Sequence, residues 1–377
     1  MIKKKILVFI DWYLPGFRAG GPIRSCANLI AHLSSEFEFF VVTTDTDYMS
    51  NSPYESVKKN EWNKLVDGSN TYYISKENLN AETIKRLIME VEADFYYLNG
   101  MYSYLFTIVP LKNIVRRKKI ILAVRGMLAP SAIAIKSFKK NIYFTYAKMI
   151  GLFDDVIFQA SSVEEKRQIE KIFFKQQIRV VPNLPRKKAS ANNQMKNKQS
   201  GNVHLLNIAR IAPEKNLLFA LEALKKVKSI VVFDFYGPIY DNNYWEECKK
   251  VIANLPSNVQ ATYNGVAEGE QIFKLMENYH FLFMPSSGEN FGHIILEAMS
   301  AGLPVIISDK TPWRNLKSKK SGWDISLSNP SHFSEVIEEC SAMTQNEYEI
   351  MSKGADAFAS EFIQDEEKVN ANRQLFS

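Results

Sequence analysis

At 377 residues the chain exceeds what one hydrophobic core usually fills, so two domains of ordinary size are expected. A hydrophobic content of 46% with 12% aromatics excludes a disordered chain, and no apolar run approaches the ~20 residues needed to span a bilayer. The formal charge of +6 is modest but unevenly spread: Lys112, Arg116, Arg117, Lys118, Lys119, Arg125, Lys136, Lys139, Lys140 and Lys148 share a stretch without Asp or Glu. Such a face is either a solvated surface or one that attracts anionic lipid or a phosphate-bearing acceptor; without a nucleic-acid-binding motif, no nucleic-acid partner is expected.

The basic, briefly apolar start from Met1 to Asp11 reads as a first β-strand rather than a signal peptide. Cys26, Cys248 and Cys340 are scattered, which argues against a disulfide framework or a zinc site and for a reducing, cytoplasmic setting. Short β-branched and aromatic runs at 6–10, 39–43, 95–98, 120–124, 156–158 and 179–181 alternate with helical stretches, the pattern of a parallel α/β sheet. A polar linker over 186–202 separates this first domain, 1–185, from a second over 203–346, where strands recur at 203–208, 230–235, 259–263, 281–284 and 304–308. Residues 347–377 read as C-terminal helices that cross back to the first domain. Between these blocks, the helical segment 132–149 carries Ile135, Phe138, Ile142, Tyr146 and Met149 on one stripe, with Ile133 and Phe144 opposite and Lys136 and Lys140 beside it. A core stripe explains this periodicity; the extra apolar surface and the cations also suit a helix at a lipid interface.

The segment from Pro285 to Ile306 carries the most chemistry. A strand ends at Met284, a loop holds Glu289, a helix starts near Gly292, and Glu297 lies about a turn and a half inside it. The amides of Asn290, Phe291, Gly292, His293 and Ile294 surround that helix start, where free N–H groups and the dipole suit a diphosphate. Carboxylates only accept hydrogen bonds, so Glu289 and Glu297 suit sugar diols. For His293, the backbone amide at the helix start matters more than the ring.

Two glutamates separated by seven residues, as Glu289 and Glu297 are, resemble the hallmark of glycosyltransferase family 4, retaining enzymes of the GT-B fold. The resemblance implies an α/β chain with two Rossmann-like domains facing across a cleft. Other pieces follow in the family's order. Arg210 and Lys215, after the second domain's first strand, resemble the pair that binds the donor diphosphate; their charges would neutralise a leaving group that becomes more negative as the glycosidic bond breaks. Gly20-Gly21 resembles the cleft glycine pair, with Arg24 one helix position on, and Asn264-Gly265-Val266 resembles the loop meeting the nucleotide base. Asn99 and Arg125 occupy positions where many members have a cleft histidine, which puts a cation on the acceptor side instead. Thr311-Pro312-Trp313 and Gly322-Trp323 resemble a subgroup that makes cell-surface polysaccharides.

The resemblance therefore implies transfer from a nucleotide-sugar to a glycan or lipid-linked acceptor, with Glu289, Arg210 and Lys215 as catalytic residues, no metal and no cofactor. Asp45-Thr46-Asp47 matches a metal-binding tripeptide of the other major glycosyltransferase fold, but lies at a strand end of the first domain. His32, His204, His280 and His332 lack catalytic or metal spacing and read as structural. A sugar-nucleotide 2-epimerase of GT-B architecture or a non-catalytic nucleotide-sugar-binding protein are the alternatives; a dinucleotide dehydrogenase is disfavoured because Gly-x-Gly-x-x-Gly follows no strand.

Overall fold

Near-continuous apolar strands require cover on both faces, and the first strand shows how the chain supplies it. In β1 (Lys4–Phe9), Leu7 and Phe9 enter one buried cluster while Ile6 and Val8 enter another on the opposite face. The period of two sends alternate side chains to the two helical layers. The computed structural model describes residues 3–115, 117–134, 137–187, 196–267, 269 and 271–377.

The chain divides into two units, Met1–Lys187 with Asp365–Ser377, and Lys188–Gln364. The first is built on β1, β2 (Phe37–Thr44), β3 (Trp62–Lys64), β4 (Asn70–Ile74), β5 (Phe95–Asn99), β6 (Lys119–Ala123), β7 (Val156–Ala160) and β8 (Gln177–Val180), in the order β3-β4-β2-β1-β5-β6-β7-β8. Among these eight strands, the β3–β4 pairing is antiparallel and the others are parallel. The sequence pattern misses β3 and β4: three residues are too few to show alternation, and Asn70–Ile74 lies just beyond the turn residues Asp67, Gly68 and Ser69.

The second unit holds β9 (Asn202–Ile208), β10 (Ile230–Tyr236), β11 (Val259–Tyr263), β12 (Phe281–Met284), β13 (Val305–Ser308) and β14 (Gly322–Ile325), all parallel, in the order β11-β10-β9-β12-β13-β14. Val203 and Leu205 of β9 face one buried cluster and Leu206 the other. Both sheets are doubly wound α/β sheets.

The two C-terminal helices divide between the units. Helix Gln345–Ile363 starts with a Thr344–Glu347 capping box and stays in the second unit, where Ala355 and Ala359 pack into the cluster holding Ile295 and Met299. Asp365 then caps a new helix, Glu366–Gln374, which belongs to the first unit. Its anchors are specific: Asn372 donates to Pro182 O at 2.9 Å, Arg373 grips Glu36 through two nitrogens at 2.6 and 2.7 Å, and the Phe376 ring meets Phe37, Phe39, Phe95 and Tyr97. The expectation that helices from 347 onward cross back is thus corrected to the final helix alone, because the apolar face of Gln345–Ile363 is already used within the second unit.

A further correction concerns helix Ser137–Met149. Phe144 and Ala147 are its buried residues, whereas Phe138, Ile142, Tyr146 and Met149 are 76%, 55%, 52% and 75% exposed. The stripe suggested by periodicity is the outer face, not the core face. Arg116, Ile135 and Lys136 lie outside the described residues, as do 188–195 of the expected linker.

Candidate active site

In a doubly wound sheet, ligands bind beyond the carboxyl ends of the strands where the winding direction reverses. The second unit reverses between β9 and β12, and the first between β1 and β5. Arg210 and Lys215 follow β9, the loop 285–292 follows β12, and Val266 follows β11. Within the first unit, Gly21 and Arg24 follow β1, Asn99 ends β5 and Arg125 follows β6. Every residue expected in the site thus lies at or beyond a strand's carboxyl end in its own unit.

The β9 loop is held by backbone chemistry. Ala209 N donates to Tyr236 O and Ile211 N to Pro238 O, while Gly237 N donates to Gly265 O at 2.7 Å. Gly237 has φ +149, and a Cβ there would stand 1.9 Å from Ala209 O, so only glycine lets the β10 end lie against the Arg210 loop. Asn216 sits in the left-handed region at φ 60 and reaches Pro285 O at 2.9 Å, while Ser287 N and Oγ both donate to Glu214 O. These contacts tie the loops after β9 and β12 together.

This scaffold brings Lys215 Nζ to 2.6 Å from Glu289 Oε1, with the side chains 17% and 11% exposed. Ser286 Oγ donates to the same oxygen at 2.9 Å, and Glu289 N donates to Lys310 O. Arg210 pairs with Glu214 at 3.1 Å and lies 4.8 Å from the Tyr240 ring centre. Two cations and two carboxylates therefore share the mouth of the switch point, each cation engaged by its own acid.

Beside them, helix His293–Ser300 begins at Gly292, whose φ of 74 is left-handed. A Cβ on Gly292 would come within 2.8 Å of Ile295 Cδ1, so glycine lets the chain turn tightly into the helix. Trp313 Nε1 donates to Phe291 O at 2.7 Å and fixes that turn. Phe291 and His293 are buried with ring centres 4.5 Å apart, and the His293 amide lies at the helix start. Asn290, Ile294 and Glu297 are half-buried, and Val266 is 37% exposed after Gly265 at φ +75.

In the first unit Gly20, at φ +73, needs glycine for its conformation; Gly21 is exposed and starts helix Gly21–Leu33, where Arg24 is half-buried. Arg125 takes a left-handed φ of 56 and turns its guanidinium inward, donating to Asn99 Oδ1 at 3.1 Å, to Tyr97 Oη at 2.6 Å and to Asn183 Oδ1. Asn99 and Arg125, both expected on the acceptor side, thus form one braced cluster in which the guanidinium donates to neutral oxygens. Buried Glu165 braces the same loop through Gly126 N and Ser161.

Asp47 accepts from the backbone N–H groups of Phe17, Arg18 and Tyr48, while Asp45 faces Lys59 at 3.9 Å. Both carboxylates of the tripeptide are thus engaged with the chain itself. His32 contacts Pro185 O, His332 contacts Glu335, and His280 lies between His204 N and Asn197 O. Sequence reasoning missed Ser286, Tyr240, Gly237, Asn183 and Tyr97. Gly237-Pro238 directly after a strand was a readable signal; the others become visible only when distant strands are neighbours.

A family model for glycosyl transferases group 1 matches residues 188–357. The chain is 31% identical over 102 residues to a sulfoquinovosyl transferase of Arabidopsis thaliana, a match covering 27% of this chain and 18% of that protein. It is 28% identical over 149 residues to an alpha-1,3/1,6-mannosyltransferase of Homo sapiens, covering 36% of each. The matched stretches therefore span only a minor part of these curated relatives. Across the whole chain, the fold is similar to that of Anabaena HepE, solved in complex with UDP and glucose, with a TM-score of 0.70, 15% identity and coverage of 99% and 98% of the two chains. The chain has the GT-B fold, and its residues 188–357 are similar to the glycosyl transferases group 1 family.

Proposed function

We propose that the chain is a retaining glycosyltransferase that moves a sugar from a nucleotide-sugar to a glycan or lipid-linked acceptor in the synthesis of a bacterial surface polysaccharide or lipopolysaccharide. It would act in the cytoplasm, peripherally at the inner membrane face. The observation that carries the reading is Lys215 held on Glu289 beside Arg210 and the start of helix His293–Ser300, all beyond the carboxyl ends at the switch point. The bound UDP of the Anabaena relative and the transferase names of the curated relatives support a nucleotide-sugar donor.

In this reading the donor diphosphate displaces Glu289 and Glu214 from Lys215 and Arg210, and its oxygens meet the amides at Gly292, His293 and Ile294. Negative charge grows on the departing diphosphate as the glycosidic bond breaks, and these fixed donors need no reorganisation to receive it. Released from Lys215, Glu289 positions the sugar, and Glu297 accepts from the ribose hydroxyls. The departing diphosphate assists the acceptor hydroxyl on the same face, so the anomeric configuration is kept. Two side-chain cations and a helix start supply the positive charge, so no divalent cation is required.

Incubation with UDP-, GDP-, ADP- and dTDP-sugars, following nucleoside diphosphate release with and without acceptor glycans, tests the reading. Acceptor-dependent release with an unchanged anomeric configuration in the product is expected. Conversion of the donor to its 2-epimer, or tight binding without turnover across the panel, overturns it.

A further inference from the structure

Helix Ser137–Met149 has two apolar faces where one would satisfy the fold. Phe144 and Ala147 are buried, and Tyr143 packs against the same core, so this side anchors the helix to the first unit. Lys140 also turns this way, its ammonium donating to Ala132 O and lying 5.2 Å from the Tyr102 ring centre. On the opposite side Phe138, Ile142, Tyr146 and Met149 follow one another at spacings of four, four and three, the spacing of a single helical stripe. All four are more than half exposed, and Ile150 continues the line at 41%.

At 100° per residue, Lys139 and Lys148 fall on the two flanks of this stripe, and both are exposed. No acidic residue precedes them back to Lys112; Asp154 and Asp155, past the helix end, bound the basic run. At that end Lys148 lies 5.8 Å from the Phe173 ring centre, and the next residues, Phe174 at 72% exposure and Lys175, add another exposed aromatic with its own cation. A large apolar row bordered by lysines is costly in water without a partner. Helices that lie in a lipid interface combine these features, with the apolar row below the headgroups and the cations at their level.

We propose that this outer face is a docking surface for anionic phospholipid, with Phe138, Ile142, Tyr146 and Met149 entering the interface while Lys139 and Lys148 meet the headgroups. The inference rests on the membrane part of the reading above and is independent of its donor chemistry. Lipid is favoured over a second copy of the chain because the flanking charges share one sign, so two such faces would repel each other.

The test is co-sedimentation with vesicles of phosphatidylcholine alone and of phosphatidylcholine with phosphatidylglycerol, at low and high salt. Wild type should bind only the anionic vesicles and be released by salt. Each basic residue at such a surface contributes about fivefold in partitioning, so Lys139→Glu with Lys148→Glu should weaken binding at least tenfold, to order of magnitude. The triple variant Phe138→Ser, Ile142→Ser, Met149→Ser should lose binding at low salt as well, with its unfolding temperature unchanged because the altered groups are exposed. In the binding-competent single variant Ile142→Trp, tryptophan emission should shift to the blue on vesicle addition and be quenched by brominated lipid. Equal sedimentation of wild type and variants, binding to neutral vesicles alone, no vesicle binding, or self-association abolished by the triple variant without lipid binding would each overturn the proposal. Nucleotide release with a water-soluble acceptor, followed in the same variants, should stay at the wild-type level. Loss of docking with intact turnover, or the reverse, separates this inference from the transfer reading.

Discussion

Replacing Lys215 by alanine perturbs two things whose sizes the geometry sets. In the ligand-free protein it removes a 2.6 Å partner from Glu289, a carboxylate only 11% exposed. Breaking a fully buried pair costs about 3–5 kcal/mol, whereas an exposed pair is worth about 0–1 kcal/mol. Here solvent still reaches both groups and Ser286 continues to donate to Glu289, so a loss of about 1–2 kcal/mol is expected for the second unit. For a unit of this size that lowers the unfolding temperature by roughly 2–8 °C. The second effect is on the donor: one charge-assisted contact to phosphate is worth about 1.5–3 kcal/mol, so nucleoside diphosphate affinity should fall by about ten- to a hundredfold. Glu289→Gln has a different signature, because it removes the acid that competes for Lys215. It should leave diphosphate binding unchanged or tighter while turnover with the sugar donor falls. The double variant should be non-additive in stability by about 1 kcal/mol, the mark of a direct interaction. Isothermal titration with nucleoside diphosphates and scanning calorimetry read both effects. Wild-type affinity in Lys215→Ala would remove the donor assignment, and strict additivity would show that the ion pair carries no energy.

Gly292→Ala must place a Cβ 2.8 Å from Ile295 Cδ1 at a left-handed φ, so donor affinity should drop at least tenfold as the helix start shifts, to order of magnitude; unchanged affinity in calorimetry would argue against a role for those amides. For Gly237→Ala, the collision with Ala209 O should destabilise the second unit by more than about 2 kcal/mol, measured by denaturant unfolding of the purified variant. Transfer in excess chelator is expected to run at nearly the full rate; loss restored by magnesium or manganese would bring Asp45 and Asp47 back as ligands. His280 is held neutral by burial, its pKa lowered to about 4. The unfolded chain therefore binds the extra proton between about pH 6.5 and 4, so stability falls as pH drops through that window, by up to about 3 kcal/mol. Comparing pH-dependent melting of wild type and His280→Gln should show a shallower acid-side slope in the variant, and parallel curves would contradict this origin.

Much of the second unit could be read from the chain because its signals are local. The strand ending at Met284, the glutamates 289 and 297, and the small residues after them sit within one loop and one helix, where spacing along the chain determines position in space. The alternation in β1 and β9 was equally local, since a strand's period directs its side chains to opposite faces whatever lies there. Periodicity also placed Phe138, Ile142, Tyr146 and Met149 on one stripe. Whether that stripe faces inward depends on which side of the helix meets Phe153, Phe158 and Phe173, and only tertiary packing decides that. The same limit applies to Arg125: as a lone cation after a strand it read as an open acceptor-side charge, yet Tyr97, Asn99 and Asn183 converge on it from strands and loops far apart in sequence. The sequence pattern sends the whole tail from 347 back to the first domain, whereas Glu366–Gln374 is the helix that belongs to the first unit. Which part of the tail returns depended on the Phe376 pocket and on Glu36, and the chain builds those partners more than 270 residues earlier, as the positions 36, 37, 39, 95 and 97 show. Local spacing thus determined the elements and the placement of the two glutamates, whereas the facing of the elements and the partners of each charge required contacts that no short window of sequence contains.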